Sequence, residues 1–412
     1  MRRDFVVLFL LILCYGMQVF PQKIEYTRRS KNEVRDGPGS YYHLLKILPR
    51  GVAIPVMKRD AGWINFRPGD RGGSTSAWIS QNCLVEGKLM DVLRDLLLEW
   101  KSTKASPSAA AAAIRGFALR YGRITPGGLD TLDDLQKDLL TPEEVAQFEV
   151  THQGVRPVNQ EKVLAEIDGL MKEVEPAPSE AGFGAGIAAR LASQGLVTDR
   201  RVLAYVNLIA AKLVAVTPYY DMPFKVFVMK GEEPRAYAIP GGFIFLGEGL
   251  IHLCSDEAEL AAVIGHEITH LTARHAMSEE FARRNRIRMD QAFSELEEEL
   301  GAKPDSTEME MEDLIQEAYD DVVKPRLQIY EEEADRGAAM LLAALGYDPV
   351  AVSTIVKKTG LAVKNRQKDW SQNPFLHLDF ETRNQELLKF LQAHPGFEKG
   401  VRNEERFGRM TK

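Results

Sequence analysis

Asp256-Glu257-Ala258-Glu259-Leu260-Ala261-Ala262-Val263-Ile264-Gly265-His266-Glu267-Ile268-Thr269-His270 decides how this chain is read. Ser255-Asp256-Glu257 is a helix start, and the run behind it predicts a helix through His275. Positions four apart share a helix face, so His266 and His270 can point at one ion. Neutral imidazole is a good zinc ligand, and Glu267 beside the first histidine can serve as general base toward a water there. Leu260 to Gly265 are small or apolar, as a buried helix requires, and Gly265 leaves room for a close neighbour. A histidine pair inside such a helix is costly unless satisfied, which a metal would do. The competing reading is a pair of surface or capping histidines, because an HExxH also arises by chance.

A catalytic zinc needs three protein ligands and an open position for water. Glu331-Glu332-Glu333-Ala334-Asp335-Arg336 lies about sixty residues downstream, at the start of a helix expected over Ile329 to Leu345. Gly346 and Pro349 supply the stop. Glu331 is the candidate third ligand. Asp335, one turn on, could accept a hydrogen bond from a ligand histidine and fix its orientation. Glu333 is the competing ligand on another face, and Glu332 projects elsewhere. A solvated acidic helix start accounts for Glu332 but not for the apolar run Ala338 to Leu345. His275 lies too far round the expected helix to be a natural third ligand.

With Ala236-Tyr237-Ala238-Ile239-Pro240-Gly241-Gly242-Phe243-Ile244-Phe245 and Gly249-Leu250-Ile251, these stretches resemble the envelope zinc metallopeptidases of the BepA and HtpX type, relatives of the CAAX prenyl endopeptidases. The resemblance spans about Gly182 to Leu391. It implies an α+β zincin core, one Zn2+ per subunit held by His266, His270 and Glu331, and support from Asp335. It also implies that an edge strand at Phe243 to Leu246 pairs with extended substrate, so Gly241, Gly242, Phe243, Ile244 and Phe245 become substrate-binding candidates. Two departures stand out. Arg235-Ala236-Tyr237 replaces the family's Asn-Ala-Phe, and His377-Leu378-Asp379 lacks the proline of a later motif, although Arg383 keeps its spacing. His377 would approach the zinc or the oxyanion with Arg383 behind it, or both would be structural.

Outward from this core the chemistry thins. Hydrophobic residues are 45% and charged residues 27%, an ordinary globular mix. The net charge of −7 argues against a nucleic-acid surface. Arg2 and Arg3 precede the apolar run Phe5 to Leu13, which has signal-peptide length; an uncleaved anchor or a lipid at Cys14 are the alternatives. Cys83 and Cys254 form no metal or redox motif. Asn32 to Ser40 reads as a turn-rich opening, and the short strands after it, punctuated by Pro49-Arg50-Gly51 and Asp60-Ala61-Gly62, suggest a small barrel. With Gly62-Trp63 and Ala77-Trp78-Ile79 the stretch resembles the bacterial SH3-like domain, whose members bind cell-wall material or peptides or act as spacers. Large aromatics usually fill small cores, so Trp63 and Trp78 are expected there. Lys88 to Trp100, the Ala-rich stretch after Ser106-Pro107, and Thr141-Pro142-Glu143-Glu144 read as helices. The acidic stretch Glu295 to Asp321 reads as a solvated hairpin or as a lid.

The expected fold class is multidomain: a small all-β SH3-like barrel, a helical connector, then an α+β, mostly helical zincin-type metallopeptidase domain. The expected spans are 1–20 for a signal peptide or anchor, 24–87 for the SH3-like domain, 88–157 for the connector and 158–400 for the peptidase. The expected function is a zinc metalloendopeptidase acting on misfolded or unassembled proteins of the bacterial envelope, periplasmic, secreted or membrane-anchored. Its partners would be extended polypeptide, with cell wall or peptide open to the SH3-like domain, no nucleic acid, and membrane contact only at the N-terminus. The alternatives are an inactive, metal-binding, chaperone-like protein and a cell-wall amidase.

Overall fold

A computed structural model describes residues 23–29, 31–60, 62–68, 76–85, 129–152, 160–171, 178–222, 224–275, 327–366, 379–397 and 400–411. The N-terminal apolar run, the helices expected at 88–100 and 107–119, the acidic stretch 295–321 and His377 lie outside these residues. The chain divides into two compact units, Met1–Lys104 and Ala105–Lys412.

Short alternating segments build the first unit. Its strands are β1 (Ile24–Thr27), β2 (Asn32–Arg35), β3 (Leu44–Leu48), β4 (Ala53–Pro55), β5 (Lys58–Asp60), β6 (Trp63–Phe66), β7 (Ala77–Ser80) and β8 (Leu84–Val85). Gly51 and Gly62 take the left-handed conformation, φ 82° and 83°, at the two turns read from the sequence. Among the described residues the strands form two sheets, β4-β1-β8 and β3-β2-β7-β6-β5, and not one closed barrel. Asn32 to Arg35, expected as part of a turn-rich opening, instead forms β2 inside the five-stranded sheet. The reason is burial: Val34 is fully enclosed, and the Asn32 amide donates to the carbonyls of Arg29 and Leu48. Trp63 is buried, whereas Trp78 is half-buried with the Lys58 ammonium 5.8 Å from its ring centroid.

The second unit is mostly helical. Its helices are α1 (Leu129–Gln136), α2 (Pro142–Thr151), α3 (Gln160–Leu170), α4 (Pro178–Ala192), α5 (Arg200–Val214), α6 (Glu248–Leu253), α7 (Glu257–Thr272), α8 (Gln328–Leu345), α9 (Val350–Arg366), α10 (Phe380–Ala393) and α11 (Glu404–Thr411). One core joins α2, α3 and α5 through α11, with Leu135 of α1 packed against it, and Leu139 and Phe148 of the α1–α2 region belong to it. The helix α7 is buried along nearly all of its length, which its small and apolar residues permit. Asp256 caps it by accepting from the Glu259 amide, and Glu259 accepts from the Ser255 amide in return.

A three-stranded sheet flanks α7, with β9 (Lys225–Met229), β10 (Ala236–Ile239) and β11 (Phe243–Gly247) in the order β10-β11-β9. β10 and β11 are an antiparallel hairpin, with Ile239 opposite Phe243. Pro240, Gly241 and Gly242 make its turn, both glycines at positive φ, 87° and 85°. The turn seats directly on α4: a Cβ at Gly184 would come 1.7 Å from the Pro240 oxygen. On its other side β11 pairs in parallel with β9. The strand expected at the edge is therefore the central one.

The N-terminus of α7 carries a buried charge. Glu257 is fully enclosed and accepts hydrogen bonds from Tyr205, Tyr347, Asn403 and the guanidinium of Arg406 on α11. Burial pushes its carboxyl up, but the bonds and charge of Arg406, with the two phenols, outweigh burial and hold it below the usual range. Removing one partner of a buried pair leaves an uncompensated charge, so Arg406→Ala should cost about 3–5 kcal/mol in urea unfolding. A loss under about 1 kcal/mol would contradict this account. Because the folded carboxyl titrates below its unfolded value of about 4.3, the pair's contribution is complete above that pH. It fades as pH falls through the folded value, and the Arg406→Ala difference should shrink with it.

Candidate metal centre

Two helices cross at small residues, and the crossing makes the site. Gly265 of α7 faces Ala338 of α8, where an added Cβ would meet the Ala338 Cα at 3.5 Å. One turn along, Gly337 of α8 faces Thr269, where a Cβ would lie 2.4 Å from the threonine Cγ2. Thr269 turns its hydroxyl inward, donating to the Gly265 carbonyl at 2.8 Å. With no bulk between the backbones, the side chains on one flank of the crossing converge.

Those side chains are His266, His270 and Glu331. His266 Nε2 and His270 Nε2 are 3.0 Å apart; Glu331 Oε2 is 3.4 Å from the first, and Oε1 is 3.5 Å from the second. A tetrahedral zinc with ligand bonds of about 2.0–2.1 Å has edges of roughly 3.3 Å between ligand atoms. With one ligand atom taken from each residue, the donor atoms all lie within 4.8 Å of one another, close enough to share one small cation. His270 and Glu331 are buried, while His266 keeps part of its ring at the surface. Glu331 sits in the first turn of α8, where a carboxylate is favoured by the helix dipole.

The surroundings hold these donors in place and set their charge. Asp335, 1% exposed, lies 2.9 Å from His266 Nδ1 and accepts its proton, which leaves Nε2 for an ion. Arg383 of α10 donates to both Asp335 oxygens, at 3.0 and 2.8 Å, and to Glu331 at 2.9 Å. Asp379 caps α10 and so fixes the turn from which Arg383 reaches in. Burial raises the Glu331 carboxyl, but the Arg383 charge and the two histidines reverse the shift and keep it ionised. Asp335 is likewise raised by burial and lowered further by Arg383 and His266. Burial depresses the His266 imidazole, yet its bonds to Asp335 and Glu331 overcome this and lift it to about 10.

Glu267 is 8% exposed and occupies the position beside His266. Arg383 contacts the carboxylates of both Asp335 and Glu331. Glu332 faces Gln328, and Glu333 points to His275, 3.8 Å away, and not into the cluster. Gly241 and Gly242 turn the hairpin, and Ile244 and Phe245 are fully buried. With β9 and β10 occupying both its edges, β11 cannot accept a substrate strand, so Gly241 to Phe245 do not form the expected edge. The outer strand that packs on α7 is β10. Arg235, in place of the family's asparagine, pairs with Glu233.

Sequence reasoning missed His275. It expected α7 to run on through this residue, but the helix ends at Thr272 and Arg274 takes a left-handed φ of 58°. That kink folds His275 back until its Nδ1 is 2.8 Å from His270 Nδ1. Nothing in Thr272-Ala273-Arg274 signals the stop, since no glycine marks it.

Residues 200–403 match the model of peptidase family M48. This domain belongs to peptidase family M48. The chain is 26% identical over 198 residues to the mitochondrial metalloendopeptidase OMA1 of Schizosaccharomyces pombe, covering 48% of this chain and 50% of that protein. It is 29% identical over 168 residues to the beta-barrel assembly-enhancing protease of Escherichia coli O157:H7, covering 40% and 34%. To OMA1 of Arabidopsis thaliana it is 30% identical over 152 residues, 36% of this chain and 29% of that one. The chain thus spans half or less of the length of these relatives. No helix among the described residues is long and apolar enough to cross a membrane.

The M48 crossing gives a direct test. Gly337→Ala would press a methyl group on Thr269 and force α7 and α8 apart. Zinc affinity, measured by competition with a chromophoric chelator, should fall by at least about tenfold, the range seen when support for a metal ligand is disturbed. Adding Thr269→Ala should restore part of it. Unchanged affinity in the single variant would show that the crossing does not set the ligand spacing.

Proposed function

We propose that this chain is a zinc-dependent metalloendopeptidase whose reactive centre is His266, Glu267, His270 and Glu331. The observation that carries the proposal is the convergence of two imidazole nitrogens from one helix and a carboxylate from another, with the three donor atoms within 4.8 Å of one another. The M48 match over the same residues supports it.

His266, His270 and Glu331 would hold the ion. Zinc at such a position supplies Lewis acidity toward a peptide carbonyl and makes water acidic at neutral pH. Glu267 takes the proton of the attacking water and returns it to the departing amine nitrogen, so that one carboxylate serves both steps. Asp335 keeps the His266 proton on Nδ1. Arg383 locks Asp335 and Glu331 together and offsets their charge.

The proposed substrates are misfolded or unassembled envelope proteins presented as extended chain. Support comes from relatives named as beta-barrel assembly-enhancing proteases. The first unit is proposed to be an SH3-like module for cell wall or peptide, on the strength of its short strands and glycine turns. Spans of 24–87, 88–157 and 158–400 for module, connector and peptidase belong to the same proposal.

The test uses the purified full chain, metal analysis and an unfolded casein substrate. Wild type should carry about one zinc per chain. It should lose cleavage on chelation. Glu267→Gln should keep its zinc and lose about 10²–10⁴-fold in rate, the usual worth of a general base. Retained cleavage in this variant would count against the assigned role, and a chain without zinc would count against the site.

A further inference from the structure

An imidazole that ligates through Nε2 must carry its proton on Nδ1, and that proton needs an acceptor when it is buried. His266 gives its proton to Asp335. His270 lies among buried residues, and its Nδ1 faces His275 Nδ1 at 2.8 Å. Two protonated nitrogens would repel at that distance, as would two lone pairs, so one must donate. Because His270 Nε2 points at the cluster, the donor is His270 and the acceptor is His275.

We infer that His275 is a positioning residue for the metal centre, resting on the zinc reading above. It accepts the Nδ1 proton of His270, fixes that ring's tautomer and aims Nε2 at the ion. Its own proton then sits on Nε2, on the side of Glu333, whose Oε1 is 3.8 Å away. The ring cannot swing freely. It stacks on Tyr330 with centroids 4.6 Å apart and planes at 19°, and stands edge-on to His270 at 4.9 Å. Tyr330 and Glu333 flank Glu331 on α8, so the helix that carries the third donor also holds the support for the second. The two histidines thus differ in kind: one leans on a carboxylate clamped by Arg383, the other on a neutral ring.

Zinc affinity of the full chain, read by chelator competition, tests this without relying on turnover. His275→Phe keeps the ring stacked on Tyr330 but removes the acceptor. Affinity should drop by about 10–100-fold, the cost of losing an outer hydrogen-bond partner. His275→Asn places an oxygen where Nδ1 was and should recover most of the loss. In zinc-loaded wild type, long-range proton–nitrogen correlation spectra should show His275 protonated at Nε2 and bare at Nδ1. A Phe variant that binds like wild type, equal losses in the Phe and Asn variants, or a proton on His275 Nδ1 would each overturn the inference. Wild type that takes up no zinc removes the underlying reading and this inference with it. Tight wild-type binding with an unaffected Phe variant removes this inference alone.

Discussion

Everything at the centre depends on how closely two helices can lie. Metal ligand atoms must sit within about 0.2 Å of their ideal places. Side chains on different helices meet that tolerance only if the backbones beneath them are fixed. Gly265 against Ala338 and Gly337 against Thr269 fix them by leaving nothing to compress. The apolar residues of α7 and α8 then bury the rest of both helices, so burial supplies the stability and the small residues supply the geometry.

Electrostatics follows from that packing. Glu331, Asp335 and Glu267 are brought within one buried region, and carboxylates so placed would repel each other and lose hydration. Arg383 makes the arrangement tenable. Its planar fork matches Asp335 in two bonds and still has an N–H for Glu331, which a lysine could not do. The result is a pair of acids held ionised by Arg383 and the histidines, with His266 drawn toward the positive form by the same field.

Much of this was legible in the sequence because it is local. The four-residue spacing of His266 and His270 is a helix property, the Gly346 stop appears as a left-handed cap at φ 78°, and the turns at Gly51 and Gly62 fall where those residues demand them. What was not legible is tertiary. Strand order depends on which partners a strand finds, so β11 could be recognised as a strand without its central place being seen. β2 hid in a stretch of turn residues, and its pairing with β3 and β7 decided the matter. His275 depends on a single non-glycine residue, Arg274, at positive φ, a choice that surrounding contacts impose and composition does not announce.

The clasp at the start of α7 reaches far along the chain. Glu257 finds its counter-charge in Arg406, and the capping Asp256 finds its own in Arg402, which also holds Asp348. A ribosome that has released both histidines and Glu331 has not yet supplied either arginine. Until it does, the buried acid at the head of the histidine-bearing helix has no cationic partner from α11. The order of synthesis therefore places completion of the fold after the last donor atom has emerged.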